Sequence, residues 1–418
     1  MTMLPITQVR AAFPALALSD DGAPRLYLDA PAGTQVAGRV VEAMSHAMIA
    51  ACANDGGKFR TSVAAGAIAD TAIASAAAFF NCGEDEVIFG LNTTSLFFQL
   101  APLIAANWQA GDNILLTRMD HDANVAPWLQ AAEARGVEVR FIEWDRETFA
   151  LKLETLPHLI DARTRAVAVG HASNFLGTIN DVTAVCAAAR AVGAVSIVDA
   201  VQSAPHIALD VGAIGCDLLA ASAYKFFGPH LGMAFVSHRL QGLIRPLKVR
   251  PSADVMPTRL MPGTPSFEAM AGTTAAIEHL AWLGIAAGTV SADAPLRQRL
   301  AAGLAAAQAH ETELMRRFLT GIAAVPGLTL HGIANANRLH ERVATFTFEI
   351  AGHSADAIAA NLAARNMFVW NGYYYAWEPA GVLGLRDRGA VRVGFTHYNT
   401  LEEVDALTAA LGQIAGRA

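Results

Sequence analysis

Between residues 86 and 237, short β-rich apolar runs alternate with longer stretches whose apolar positions recur at helical spacing. The runs are Val87–Phe89, Ile114–Thr117, Val137–Ile142, Ala166–Gly170, Val195–Val198, Leu218–Ala221 and Met233–Val236. Most are apolar throughout, as strands buried on both faces are. The periodic stretches at 94–107, 123–135 and 181–192 predict helices, and the last two stop at Gly136 and Gly193. Strands joined by single helices predict crossover units, and hence an α/β large domain around a mostly parallel seven-stranded sheet.

The texture then changes. Residues 240–275 carry Pro246, Pro251, Pro257, Pro262 and Pro265 and read as loop. A long amphipathic helix is predicted at 295–323. Beyond it, strands near Val343–Glu349, Phe368–Trp370 and Val391–Phe395 alternate with helices at 355–365 and 400–416. That is the pattern of a small α+β C-terminal domain. The expected division is a segment 1–25 packing on the small domain, a large domain 26–290 and a small domain 291–418.

Composition narrows the partners more than the fold. At 418 residues the chain exceeds one compact core, so two domains are expected. A net charge of −7 argues against nucleic acid or an anionic membrane as the main partner. The four cysteines (52, 82, 186 and 216) form no CxxC pair and read as reduced thiols, which points to the cytoplasm. The N-terminus lacks a basic region ahead of an apolar run, and the Ala-rich stretch 64–80 contains Asp70. Neither is expected to be a signal or a membrane span.

Candidate chemistry gathers at strand ends. Thr93, His121, Asn174, Asp199 and Lys225 each follow a predicted strand, where open α/β sheets bind ligands. Lys225 is one of only four lysines and lies between the apolar run 218–221 and Phe226–Phe227. A lysine desolvated there becomes an amine nucleophile for a carbonyl. An acid ending one strand (Asp199) and a lysine ending the next suggest a pyridoxal 5′-phosphate (PLP) pocket. No P-loop, GxGxxG or HExxH occurs, and the loop Asn54–Arg60 reads as a turn.

Several segments, in this order, resemble fold-type I PLP enzymes of the class V aminotransferase and cysteine desulfurase branch. They are Tyr27-Leu28-Asp29, Asn92-Thr93-Thr94-Ser95, Asp120-His121-Asp122-Ala123-Asn124, His171 to Gly177, Asp199 to Gln202, Ser222-Ala223-Tyr224-Lys225, Gly263-Thr264-Pro265 and Tyr398-Asn399-Thr400. The resemblance implies the PLP-dependent transferase fold and a Schiff base on Lys225. It makes Asp199 the partner of the pyridine nitrogen and His121 the residue stacked on the ring, a catalytic companion of Lys225. Asn174 and Gln202 would tune the ring's 3-oxygen. Thr93, Thr94, Ser222 and Tyr224 would hold the phosphate, with Tyr224 standing where desulfurases usually have histidine. Thr264 would reach the phosphate from the other subunit of a homodimer. Arg392 matches the binder of the substrate α-carboxylate.

The chain also departs from that family. Tyr375, in Trp370-Asn371-Gly372-Tyr373-Tyr374-Tyr375-Ala376-Trp377, stands where the desulfurase cysteine is expected, and no cysteine follows Cys216. A phenol, with an ordinary pKa of about 10, cannot carry persulfide sulfur. Tyr375 and its aromatic neighbours are instead expected to wall a substrate pocket. The reaction expected is that of a lyase on an amino acid (C–S cleavage or another β-elimination), with transamination as the alternative. A PLP-binding protein without catalysis, and a nucleotide-binding protein without PLP, are the readings from other classes.

Overall fold

The structure is a computed structural model and describes residues 4–416. Residues 1–3 and 417–418, the outermost positions of the first and last expected segments, lie outside the described residues. Seven strands form the large sheet, in the order Val87–Gly90, Gly232–Val236, Leu218–Ser222, Val195–Asp199, Thr164–Gly170, Asn113–Thr117 and Glu138–Ile142. Pairing is parallel except at Gly232–Val236, which runs antiparallel to both neighbours.

Side-chain alternation explains why these strands read as continuous apolar runs. Leu115, Val167, Val169, Val198, Leu219, Ala221 and Met233 enter one core. Their chain neighbours Ile114, Leu116, Ala166, Ala168, Ile197, Leu218, Ala220 and Ala234 enter another on the opposite face. Both faces are dry, so both parities must be apolar. The stretch around 64–80 is the C-terminal part of the helix Arg60–Phe80, long and apolar enough to cross a membrane. Ala72, Ala76, Phe79 and Phe80 of that helix join the first core, and the helix packs on Phe267–Ala286.

Phe267–Ala286 corrects the loop reading of 240–275, whose C-terminal part it takes. Ser266 caps this 20-residue helix by accepting from the Ala269 amide, and thirteen of its positions are buried. A helix buried nearly all round has no polar stripe and hence no readable period. It crosses Leu296–Ile322 closely enough that a Cβ on Gly303 would lie 1.9 Å from the Leu280 carbonyl oxygen.

The second sheet is antiparallel, in the order Leu328–His331, Thr345–Ile350, Ala390–Gly394 and Trp370–Gly372. A third core covers it, with residues from Leu296–Ile322, Ala355–Ala363 and Leu401–Ala415. Leu328–His331 carries no alternation the sequence could show, since all four residues are exposed or half-buried. The N-terminal chain lies along this sheet. Leu26–Tyr27 pair in parallel with Met367–Phe368, and Asp29 bridges Gly394. Arg10 ties down the first helix by donating to the Tyr398 carbonyl (2.7 Å) and pairing with Glu403 (2.8 Å).

Candidate active site

One cavity of about 730 Å³ opens at the carboxyl ends of the large-sheet strands. Thr93, Thr94, His121, Asn174, Asp199, Gln202, Ser222, Tyr224, Lys225 and Tyr375 all line it. Arg392 stands behind this lining, its Nη1 donating to the Asn174 carbonyl at 2.9 Å. Thr264 is exposed and outside the cavity.

Lys225 ends the short turn that follows Leu218–Ser222. Its Nζ donates to the Pro31 carbonyl. Burial, with Arg392 adding a like charge, pulls its amine down to about 7, while Asp199 and Asp29 pull the other way. Much of it is therefore an unprotonated nucleophile at neutral pH. Asp199 ends the neighbouring strand, and its Oδ1 accepts from the Val201 amide at 2.9 Å. Burial pushes this carboxyl up to about 6. A cationic partner would return it to the ionised form.

His121 opens a one-turn segment in which its Nδ1 accepts from the Ala123 amide at 3.0 Å. That bond places the ring proton on Nε2. Burial first, then the charges of Lys225 and Arg392, push the imidazole down to about 3, so it is neutral. The preceding residue, Asp120, fixes the loop. Its Oδ1 accepts from Thr117 Oγ1 (2.7 Å) and the Gly170 amide (2.9 Å), and its Oδ2 from Asn124 Nδ2 (2.8 Å). Asp120 was readable only as part of the His121 motif, although it joins three segments of the site.

At the other end of the cavity the helix Thr93–Ile104 begins. Asn92 caps it by accepting from the Ser95 amide (2.9 Å), and Thr93 Oγ1 shares a 2.8 Å hydrogen bond with Ser222 Oγ. A Cβ on Gly232 would meet the Asn92 carbonyl carbon at 2.5 Å, so glycine lets this helix start lie against the sheet. Two hydroxyls at the positive end of a 12-residue helix suit a phosphate. His230, which the sequence reading did not single out, stacks on Tyr224 with centroids 4.9 Å apart.

The small sheet reaches in through Tyr373–Ala376. Tyr374 and Tyr375 both have positive φ, 55° and 56°, an uncommon conformation for a bulky residue. Both carbonyls are pinned by the large domain: Asn174 Nδ2 donates to Tyr374 O (3.0 Å), and the Asp122 amide to Tyr375 O (2.8 Å). The Arg392 guanidinium lies 4.1 Å from the Tyr374 ring centroid, and the Tyr375 ring is 5.8 Å from His121. Strained backbone at two adjacent residues persists only where the surroundings hold it, as these two bonds do.

A family model described as aminotransferase class-V matches residues 26–407. The chain belongs to the class-V aminotransferase family. This class-V chain is 32% identical over 421 residues to an aminotransferase-like protein of Gibberella zeae, with 98% of each covered. It is 32% identical over 429 residues to a cysteine desulfurase of Pectobacterium carotovorum, again with 98% of each covered. Among solved structures it is similar to the apo cysteine desulfurase of Thermococcus onnurineus, with TM-score 0.87, 25% identity and 100% of both chains covered. The cysteine desulfurase CsdA of Escherichia coli gives TM-score 0.82 at 25% identity over 99% of each chain. The fold is therefore the α/β fold of these class-V relatives, with a large, mostly parallel sheet and a smaller C-terminal domain.

Proposed function

We propose that the chain is a PLP-dependent enzyme acting on an amino acid, and that it is a lyase without a protein thiol. The observation that carries this reading is a buried amine of near-neutral pKa, Lys225, sharing one cavity with buried Asp199. The residues fit the cofactor. Gln202 Oε1 and Asn174 Oδ1 are buried without a partner, so polar capacity in the cavity wall is unspent. Lys225 would anchor PLP, Asp199 would hold the proton of its pyridine nitrogen, and Thr93, Ser222 and Tyr224 would hold the phosphate. Asn174 spends one of its two N–H donors on Tyr374 O, so its second, together with Gln202 with its amide turned over, would serve the 3-oxygen. Neutral His121 would cover the ring.

When bound, PLP supplies the electron sink that lets a bond to the substrate α-carbon break. The chain's own residues orient the substrate and move protons. Arg392 is buried and makes no ion pair among the described residues, and beyond the Nη1 bond to the Asn174 carbonyl its guanidinium would have donors left for a substrate carboxylate. Lys225 would serve as base and acid at the α-carbon. Tyr375 walls the side-chain region.

No cysteine lines the cavity. Burial pushes Cys82 and Cys186 up to about 12 and raises Cys216 well above the ordinary thiol range, so none of these three supplies a thiolate. The test is an amino-acid screen that follows keto acid, ammonia, sulfide and pyridoxamine phosphate separately. Keto acid and ammonia in equal amounts, with no protein persulfide, is the expected result. Pyridoxamine phosphate accumulation would establish transamination instead, and a persulfide on the chain would overturn the thiol-free reading.

The proposal includes a homodimer in the cytoplasm. Leu91 and Phe98 line the cavity yet are 76% and 42% exposed, and Met48, Ile49, Phe59 and Val63 are exposed apolar residues of the same domain. In this proposed dimer a second copy would cover such residues, and Thr264 of that copy is the residue assigned to the phosphate end. Sedimentation at twice the 43.9 kDa chain mass is expected, and a monomer at micromolar concentration would overturn it.

A further inference from the structure

One carboxylate in the cavity lining has no partner. Three acids line the cavity: Asp120, Asp122 and Asp199. Both Asp120 oxygens have donors. Asp199 accepts from the Val201 amide and belongs to the pyridine nitrogen in the function proposed above. Asp122 is committed to neither structure nor cofactor. Burial, and after it the Glu378 charge, hold its carboxyl above the ordinary value, and no hydrogen bond or cation among the described residues offsets them. Arg118, earlier in the same loop, is taken: it pairs with Glu378 and Glu143, and its guanidinium lies 3.7 Å from the Phe141 ring centroid.

The backbone fixes where this carboxylate stands. The Asp122 amide donates to the Tyr375 carbonyl at 2.8 Å, and the Asp122 carbonyl accepts from the Val125 amide at 3.0 Å. Asp122 is thus tied to the residue that walls the side-chain region of the site. Its own side chain is half-buried in the cavity lining. The Tyr375 ring lines the same cavity and is 73% exposed, so its face is open to a ligand. A carboxylate and an open phenol face in one wall suit a cation.

The cavity holds no cation of its own for Asp122. Among the described residues Lys225 is the only lysine or arginine in the lining, and it is assigned to the cofactor. His230 stacks on Tyr224, toward the phosphate end. A substrate that closed over Asp122 without pairing it would strip water from a charge and return nothing. A cation must therefore arrive with the ligand.

We propose that Asp122 selects amino acids whose side chain ends in a cation, an ammonium or a guanidinium, received by the Asp122 carboxylate and the Tyr375 ring. This names a substrate class within the PLP reading and rests on it. A side chain ending in a carboxylate is repelled, and a neutral one leaves Asp122 unpaired.

The test titrates PLP-loaded wild type and Asp122→Asn with two matched pairs, following the visible band: L-arginine against L-citrulline, and L-lysine against L-norleucine. Within each pair the side chains are similar in length and differ in charge. Wild type should bind the cationic member of at least one pair about 10-fold more tightly, and the pair that shows it identifies the cation. In Asp122→Asn that ratio should fall to about 2-fold or below. General damage to the pocket weakens both members alike and leaves the ratio high. A coloured wild type with no preference for either cation, or a preference that survives Asp122→Asn, overturns the inference and leaves the cofactor reading standing. If Asp122→Asn takes no PLP, Asp122→Ser carries the same comparison with the same two outcomes. A wild type that stays colourless with PLP overturns the cofactor reading and this one with it.

Discussion

Lys225→Ala is expected to lose the visible band of the PLP-loaded protein and, with it, nearly all turnover. Proton transfer by a positioned side chain contributes roughly 10²–10⁴-fold, and loss of the covalent anchor adds to that. Borohydride treatment should fix cofactor mass on Lys225 in the wild type and nowhere in the variant. The other lysines, at 58, 152 and 248, are exposed or half-buried and lie outside the cavity. The pH dependence follows from the same cause. Below about 7 the Lys225 amine is increasingly protonated, so capture of PLP by the apo-protein should slow from pH 8 to pH 6. Cofactor trapped on another lysine, or capture that quickens as pH falls, would contradict the assignment.

Arg392→Ala is expected to leave cofactor binding intact while apparent substrate affinity collapses. Removing one partner of a buried, hydrogen-bonded charge pair costs roughly 2–5 kcal/mol, or ~30- to ~4,000-fold in KM. The guanidinium also packs on Tyr374 and holds Asn174, so the alanine variant disturbs the Tyr373–Ala376 strap as well. Arg392→Lys separates the two effects. It keeps a cation near the ring but loses the planar fork, and it should recover only part of the lost affinity. An unchanged KM in the alanine variant would mean that another residue holds the carboxylate.

The two halves of the site differed in how far the sequence revealed them. Lys225, Asp199, Ser222 and Thr93 were legible because each sits within a few residues of a strand buried on both faces. Such strands announce their ends as breaks in an apolar run. Phe267–Ala286 was hidden for the opposite reason, since burial on every side erases the period that marks a helix.

Tyr375 and Arg392 were named as substrate residues, but nothing in the local pattern showed how they meet the large domain. That depends on the Tyr374 and Tyr375 carbonyls finding Asn174 and the Asp122 amide, which are far away in the chain. Asp29 is the extreme case. Its local sequence marks the edge of a short strand, and its surroundings come from Gly394, Arg392 and Lys225, none of them its neighbours in sequence.

The sequence by itself determined the α/β class, which strands end in chemistry-bearing loops and the identity of the buried lysine. These depend on local periodicity and on desolvation by adjacent apolar residues. Only the tertiary structure decided which residues face one another and why the aromatic strap is fixed. Contacts between distant segments leave no periodic trace in the chain, because they are set by how the two sheets pack together rather than by how either one forms.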